Sequence, residues 1–248
     1  MEEQLLKPGE RINQLFSTDI KIIQNREVFS YSVDSVLLSR FPRFPKRGLI
    51  VDFCAGNGAV GLFASSRTQA RIISVEIQER LADMAERSVQ LNGLEEQMQV
   101  ICDDLKNMPA HIQGSKVDMI LCNPPYFKVD PNSNLNESEH YLLARHEITT
   151  NLEEICRSAQ SILKSNGRLA MVHRPDRLLD ILDMLQRHNL APKRLQFVYP
   201  KREKEANMLL IEAIKDGSTS GFKVLPPLIV HNDDGSYTPE LEEIYYGS

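Results

Sequence analysis

Four consecutive residues, Asn123-Pro124-Pro125-Tyr126, close the apolar run Met119-Ile120-Leu121-Cys122, and Phe127 follows at once. Proline donates no backbone hydrogen bond and fixes its own φ, so the run reads as a strand that stops in a rigid turn. The Asn123 amide oxygen and the Pro124 carbonyl are then two acceptors held in place. Two acceptors suit a planar NH2 group with two donors. Such an amine, on adenine, cytosine or an amide, is a poor nucleophile because its lone pair is delocalised. Accepting both protons drives the nitrogen toward a pyramidal form whose lone pair can attack. A ring at Tyr126 can stack on a flat substrate, worth about 1–3 kcal/mol per base. Correct positioning contributes roughly 7–11 kcal/mol to a two-substrate reaction. Asn123, Pro124, Pro125 and Tyr126 are therefore the candidate catalytic residues. The chemistry needs no strong base, and no metal is expected.

A second constellation sits upstream. Gly56-x-Gly58-x-x-Gly61 directly follows a strand-like run and opens a helix, the context in which this spacing reads as a ligand turn. Glu76 lies 20 residues beyond Gly56, at the end of the next strand, where a carboxylate can accept both ribose hydroxyls. These features alone fit a dinucleotide and S-adenosylmethionine equally well. The Asn-Pro-Pro-Tyr turn favours the second, because its activated amine needs an electrophile such as the methyl of a sulfonium.

The elements that must position these groups alternate. Strands are expected at Leu49–Cys54, Arg71–Glu76, Met98–Cys102, Val117–Cys122, Arg168–His173, Leu195–Tyr199 and Asn207–Ile214. Helices are expected at Ala59–Ser66, Gln78–Leu91, Leu152–Leu163 and Arg177–His188. This alternation predicts an α/β fold with a doubly wound, mostly parallel, seven-stranded sheet. Ahead of it, Ile20–Ser32 reads as a hairpin turning at Asn25-Arg26, and Val33–Phe41 as a short helix. The expected division is a hairpin and helix extension over residues 1–48, a catalytic domain over 49–220 and a tail over 221–248. The polar stretch Lys128–Glu147 reads as a binding loop or lid.

Composition sets bounds. The chain has 248 residues, 42% hydrophobic and 25% charged, as in an ordinary globular protein. Its formal net charge of -5 excludes a globally basic nucleic-acid binder, so phosphate contacts must be local. Candidates are the cluster Arg40, Arg43, Lys46 and Arg47, and the cluster Lys193, Arg194, Lys201, Arg202 and Lys204; a solvated surface is the common alternative for such runs. Cys54, Cys102, Cys122 and Cys156 form no CxxC pair, and a reduced, cytoplasmic protein is expected. The first three are expected to be small buried residues near the pocket. Neither a secretory signal nor a membrane-spanning run is apparent.

VDFCAGNGAVG together with ILCNPPYF resembles the class I S-adenosylmethionine-dependent amino-methyltransferases that carry an Asn-Pro-Pro-Tyr signature. With FSYSVDSVLLSRF, ARHE and NGRLAMVHRPDRL the chain is similar, roughly from Phe29 to Lys215, to the bacterial family that methylates N6 of an adenine beside the anticodon of valine tRNA. The resemblance implies a class I, Rossmann-like fold, S-adenosyl-L-methionine as cofactor and tRNA as partner. It places Asp52, Gly56 and Gly58 at the methionine part of the cofactor, and counts Ala55, Asn57 and Ile77 among the cofactor-binding residues. Glu76 would bind the ribose, and Asp103 or Asp104 the adenine. Tyr31 and Asp34 would approach the methionine end, although an acid in the first turn of a helix also needs no other reason. Asn123 would touch both target and cofactor, while Phe127, Arg145, Lys201 and Arg202 would meet RNA. Two alternatives stand beside this reading: methylation of a glutamine amide in a release factor, and a non-catalytic RNA-binding module. A dehydrogenase using the same glycine turn is disfavoured by Asn-Pro-Pro-Tyr.

Overall fold

The structure, a computed structural model, describes residues 2–14, 18–25, 32–114, 116–125 and 152–247. In chain order the described elements are β1 (Glu10–Gln14), β2 (Lys21–Asn25), α1 (Val33–Leu38), β3 (Leu49–Phe53), α2 (Ala59–Ser65), β4 (Arg71–Glu76), α3 (Glu79–Leu91), β5 (Met98–Cys102), α4 (Met108–His111) and β6 (Val117–Cys122). Then come α5 (Leu152–Ile162), β7 (Leu163–His173), α6 (Leu178–Arg187), β8 (Leu190–Tyr199), β9 (Met208–Lys215), β10 (Lys223–Val224), β11 (Leu228–Ile229) and α7 (Pro239–Tyr246).

The apolar runs Ile50-Val51, Ile72-Ile73 and Ile120-Leu121 are buried on both faces, which only a sheet covered by helices on both sides allows. The sheet runs β10-β8-β9-β7-β6-β3-β4-β5, with β11 also paired to β8. β3, β4, β5, β6 and β7 are mutually parallel, and β9 is antiparallel to both β7 and β8. From β3 the chain winds outward through β4 to β5, then returns to lay β6 on the other side of β3. This reversal is the topological switch point, where open α/β sheets place their ligands. Phe53 is the register partner of Cys122, so the segment after β3 and the turn after β6 leave the sheet side by side.

All seven expected strands are present. β7 starts earlier than expected because Leu163 already pairs with Val117, and the Lys164–Gly167 turn bulges out before Arg168 pairs with Met119. β8 likewise begins at Leu190, where Pro192 opens an irregularity in its pairing with β9. Two further two-residue strands come from the tail. β2 pairs with β1, a strand the sequence did not suggest, with Glu10 opposite Asn25 and Gln14 opposite Lys21; the expected turn at Asn25-Arg26 and the second arm of that hairpin fall mostly outside the described residues.

One helical layer, α4, α5 and α6, buries Ile155, Ala159, Ile162, Ile181 and Leu185 against Val51, Ile120 and Met171. The other face carries α1, α2 and the tail, where Val36, Leu37 and Leu38 meet Leu228, Val230 and Leu241. The tail thus holds α1 against the sheet. The hairpin packs on the outer side of α3, burying Ile23 with Leu81 and Met84. Arg87 on α3 fastens it with a two-pronged pair to Glu10, Nη1 to Oε2 at 2.6 Å and Nη2 to Oε1 at 2.8 Å.

Leu241 has no exposed surface. Leu241→Ala should cost about 2–5 kcal/mol, read as a fall in thermal midpoint of several degrees. An unchanged midpoint would mean that the tail contributes nothing to the core.

Candidate active site

The segment after β3 folds through three left-handed residues: Cys54 at φ 56°, Gly56 at 57° and Gly58 at 84°. Cys54 takes a conformation that normally calls for glycine, so the turn begins two residues before the Gly-x-Gly spacing does. Ala55 N–H donates to the Val75 carbonyl and Gly58 N–H to the Ala55 carbonyl, which ties the turn to β4 and closes it. Gly61 serves packing: a Cβ there would lie 2.8 Å from Ser74 Oγ and 2.9 Å from Met98 Cε, so only glycine lets α2 settle onto β4 and β5.

Two carboxylates lie under this turn. Glu76, buried at the end of β4, accepts from Gly56 N–H at 2.8 Å through Oε2 and from Gln78 N–H at 2.9 Å through Oε1. Its remaining lone pairs can serve a ligand diol, and burial raises its affinity for a proton. Asp52 has no exposed surface; its Oδ2 accepts from Gly61 N–H at 2.9 Å, and its Oδ1 is an orphaned buried acceptor. Burial pushes the Asp52 carboxyl up to about 7; the charge of Glu76 adds to the rise, and the Gly61 N–H opposes it. Ile77, beside Glu76, is an exposed aliphatic residue at the strand end.

Asp103 and Asp104 follow β5. Asp103 accepts from Asp104 N–H, from Asn107 Nδ2 and from His111 Nε2, the last at 2.7 Å, and these partners hold its carboxyl down at about 2. Asp104 instead caps the next turn, accepting from Lys106 N–H at 3.0 Å and pairing with Lys106 Nζ at 2.9 Å. The Asn57 side chain is fully buried and donates to the Ile23 carbonyl at 3.0 Å, so only the backbone of this position is left to meet a ligand. It fastens the hairpin to the turn instead of reaching toward a ligand, and sequence spacing carries no sign of that direction.

Asn123 is half-buried at the end of β6, and Pro124 behind it is buried. Its Nδ2 donates to Ser35 Oγ on α1 at 3.3 Å. Asp34 is buried next to Ser35, accepts from Ser35 N–H at 3.0 Å and hydrogen bonds to Ser32 Oγ. It thus lies in the first turn of α1 and also lines a cavity of about 930 Å³ together with Ser32, Arg174, Glu205 and Asn207. His173, buried at the end of β7, accepts from Arg174 N–H through Nδ1 at 2.8 Å; burial lowers it to about 4, so the ring is neutral. Tyr31, Tyr126, Phe127 and Arg145 lie outside the described residues.

Among the basic residues the structure separates two uses. Arg194 stacks over Phe41 at 4.7 Å, and Lys193 donates to the carbonyls of Ser218 and Ser220, so both serve the fold. Lys201 donates to the Asp233 carbonyl at 3.1 Å, while Arg202 and Lys204 are exposed. Cys122 and Cys156 are buried and Cys54 half-buried, but Cys102 is exposed, contrary to expectation, because β5 is the sheet edge. Among the described residues no three His, Cys, Asp or Glu side chains converge as metal ligands, and no helix is long and apolar enough to cross a membrane.

A doubly wound sheet with a glycine turn and an Asn-Pro-Pro turn side by side at its switch point has the layout of a methyltransferase. Residues 19–190 match the methyltransferase small domain, and the chain belongs to that family. It is 29% identical over 224 residues to the tRNA1(Val) (adenine(37)-N6)-methyltransferase of Porphyromonas gingivalis, covering 86% of this chain and 87% of that one. A protein of the same name from a Shewanella strain is 26% identical over 215 residues, covering 86% and 89%. Among solved structures, a predicted O-methyltransferase from Agrobacterium tumefaciens superposes with a TM-score of 0.70 at 22% identity, covering 87% of this chain and 96% of that one. The geranyl diphosphate C-methyltransferase of Streptomyces coelicolor, crystallised with S-adenosyl-L-homocysteine, gives 0.52 at 13% identity, covering 68% and 71%.

The raised Asp52 carboxyl has a measurable sign. Its folded value, about 7, stands above the ordinary 3.8, so its contribution to stability is complete below about 4 and is lost as the pH rises through about 7. Asp52→Asn keeps an acceptor for Gly61 N–H and removes the titration. The variant should lose less stability than the parent between about pH 5 and about pH 8, measured by thermal unfolding; parallel curves would refute the assignment.

Proposed function

We propose that the protein is an S-adenosylmethionine-dependent N-methyltransferase acting on N6 of an adenine in tRNA next to the anticodon, in the cytoplasm. The observation that carries this reading is the placement of Asn123-Pro124-Pro125 beside the left-handed turn of Cys54, Gly56 and Gly58, on adjacent parallel strands. The names of the relatives narrow the target from amines in general to this adenine.

The residues present suit the cofactor. Glu76 is a buried acceptor for a ribose diol, already oriented by two backbone N–H groups. Gly56 and Gly58 give close backbone access, and Ile77 offers an apolar surface to a purine. Asp103 and Asp104 both follow β5, the first held by Asp104 N–H, Asn107 and His111 and the second by Lys106, and either carboxylate is the candidate to accept from the adenine amine. When bound, the cofactor supplies an electrophilic methyl group.

What the chain itself does is orient and polarise. Asn123 Oδ1 and the Pro124 carbonyl accept the two protons of the target amine and draw the lone pair out of conjugation with the ring. The proline pair fixes their separation, so little reorganisation accompanies the reaction. The methylated nitrogen is then acidic enough to release a proton to water, and no side-chain base is required. Tyr126 and Phe127 supply rings on which a base can stack. An anticodon loop presents unpaired bases, so entry into the pocket costs less than it would from a duplex.

Purified protein, labelled S-adenosylmethionine and total tRNA lacking the modification should yield labelled N6-methyladenosine. Asn123→Ala should lose transfer by two or more orders of magnitude, on the order of one lost transition-state contact, while still binding S-adenosylhomocysteine. Glu76→Ala should weaken that binding roughly ten- to a hundredfold. A fully active Asn123→Ala enzyme would sink the mechanism. Label in a protein band and not in RNA would move the activity to a glutamine amide.

A further inference from the structure

The Asn123 amide has two unlike ends. Only Oδ1 can accept from an amine; Nδ2 can only donate. An amide turned the wrong way presents donors to donors and cannot activate the target. Some group must therefore choose the orientation before the substrate arrives, and the backbone of the Asn-Pro-Pro turn does not do so, because it fixes the Cα and leaves the terminal amide torsion soft.

We propose that Ser35 is the positioning residue that makes this choice. It stands on α1, outside the strand that carries Asn123, is 1% exposed, and its Oγ takes the Asn123 Nδ2 proton at 3.3 Å. Its own backbone is fixed at the entry of the helix, with N–H donating to the Ser32 carbonyl and to Asp34 Oδ1, and with its carbonyl accepting from Ser39 N–H. With Nδ2 directed at Ser35, Oδ1 faces the opposite way. The contact is long for a hydrogen bond, so its work is orientation more than stability. The neighbours of Ser35 support this role: Val36, Leu37 and Leu38 pack into the core against the tail, so α1 cannot shift without disturbing Leu228, Val230 and Leu241. Ser35 touches neither reacting atom in this arrangement; it acts through Asn123.

The inference rests on the proposed amine chemistry, and its test separates the two. Ser35→Ala removes the acceptor, Ser35→Thr keeps it, and Asn123→Asp replaces the two-ended amide by a carboxylate whose ends are both acceptors. Single-turnover methylation of tRNA should fall about tenfold in Ser35→Ala, the loss of one neutral hydrogen bond that sets geometry. KM for tRNA, S-adenosylhomocysteine affinity and thermal midpoint should stay at parental values, and Ser35→Thr should restore the rate. In the Asn123→Asp background Ser35→Ala should have no further effect, since there is no orientation left to choose. Equal fold-losses in both backgrounds, or a loss that tracks the midpoint, would overturn the role. An independent readout is the side-chain amide resonance of Asn123 in protein labelled with 15N-asparagine, identified by its disappearance in Asn123→Asp. Ser35→Ala should shift it. An unmoved resonance overturns the proposal whether or not adenine proves to be the substrate, and a shifted one in a protein inactive on tRNA supports Ser35 while the choice of substrate falls.

Discussion

The pairing of β3 with β6 is the constraint on which the active site depends. Ile50 to Phe53 lie in register with Met119 to Cys122, and both strands are buried on both faces. Their carboxyl ends are therefore level, and the two turns that follow must share one crevice. One is built of left-handed residues that open the backbone to a ligand, and the other of prolines that close it. A slip of one residue in this pairing would turn Asp52 and Leu121 to the wrong faces and separate the two turns. Burial on both sides makes such a slip costly, so the same hydrophobic packing that stabilises the sheet also holds cofactor turn and acceptor turn together.

Each turn is then supported from outside the sheet. Asn57 reaches through the cofactor turn to the Ile23 carbonyl, and Ile23 N–H donates to Ser88 Oγ on α3, so β2 bridges the turn and the helix behind it. The ion pair of Arg87 with Glu10, largely shielded from solvent, extends that clamp to β1. On the other side, α1 lies between the sheet and the tail. The extension before the sheet and the tail after it are thus parts of one arrangement, gripping the crevice from its two flanks.

Local chemistry was legible in the sequence; partnership was not. The glycine turn, Glu76 and Asn123-Pro124-Pro125 could be read because each owes its role to its own residue type and its place at a strand end. Cys54 could not, because nothing in the sequence marks a cysteine for a left-handed conformation. β1 escaped notice because Glu10-Arg11-Ile12-Asn13-Gln14 is nearly all polar and only partly buried, so it lacks the alternation that marks a strand. The tail strands are two residues long, below any periodic signal. Asn57 and Ser35 show the remaining limit: the identity of each residue was plain, but the direction of its side chain is set by elements far away in sequence, β2 for one and β6 for the other.

The electrostatics of the crevice divide the labour between its two ligands. Asp52 and Glu76 lie under the glycine turn, where burial alone favours their protonated forms and a bound cation would offset that cost by favouring the charged carboxylates. Such a site favours a cation and repels phosphate. A sulfonium suits it, and an RNA backbone does not. On the proposed function a polynucleotide would keep its phosphates outside this crevice, where exposed cations such as Arg202 and Lys204 are available, and send in only an uncharged base. On that reading the base is neutral, flat and equipped with two donors, and Asn123 with Pro124 would offer it the two acceptors that the surrounding carboxylates, already bound to backbone N–H groups, do not.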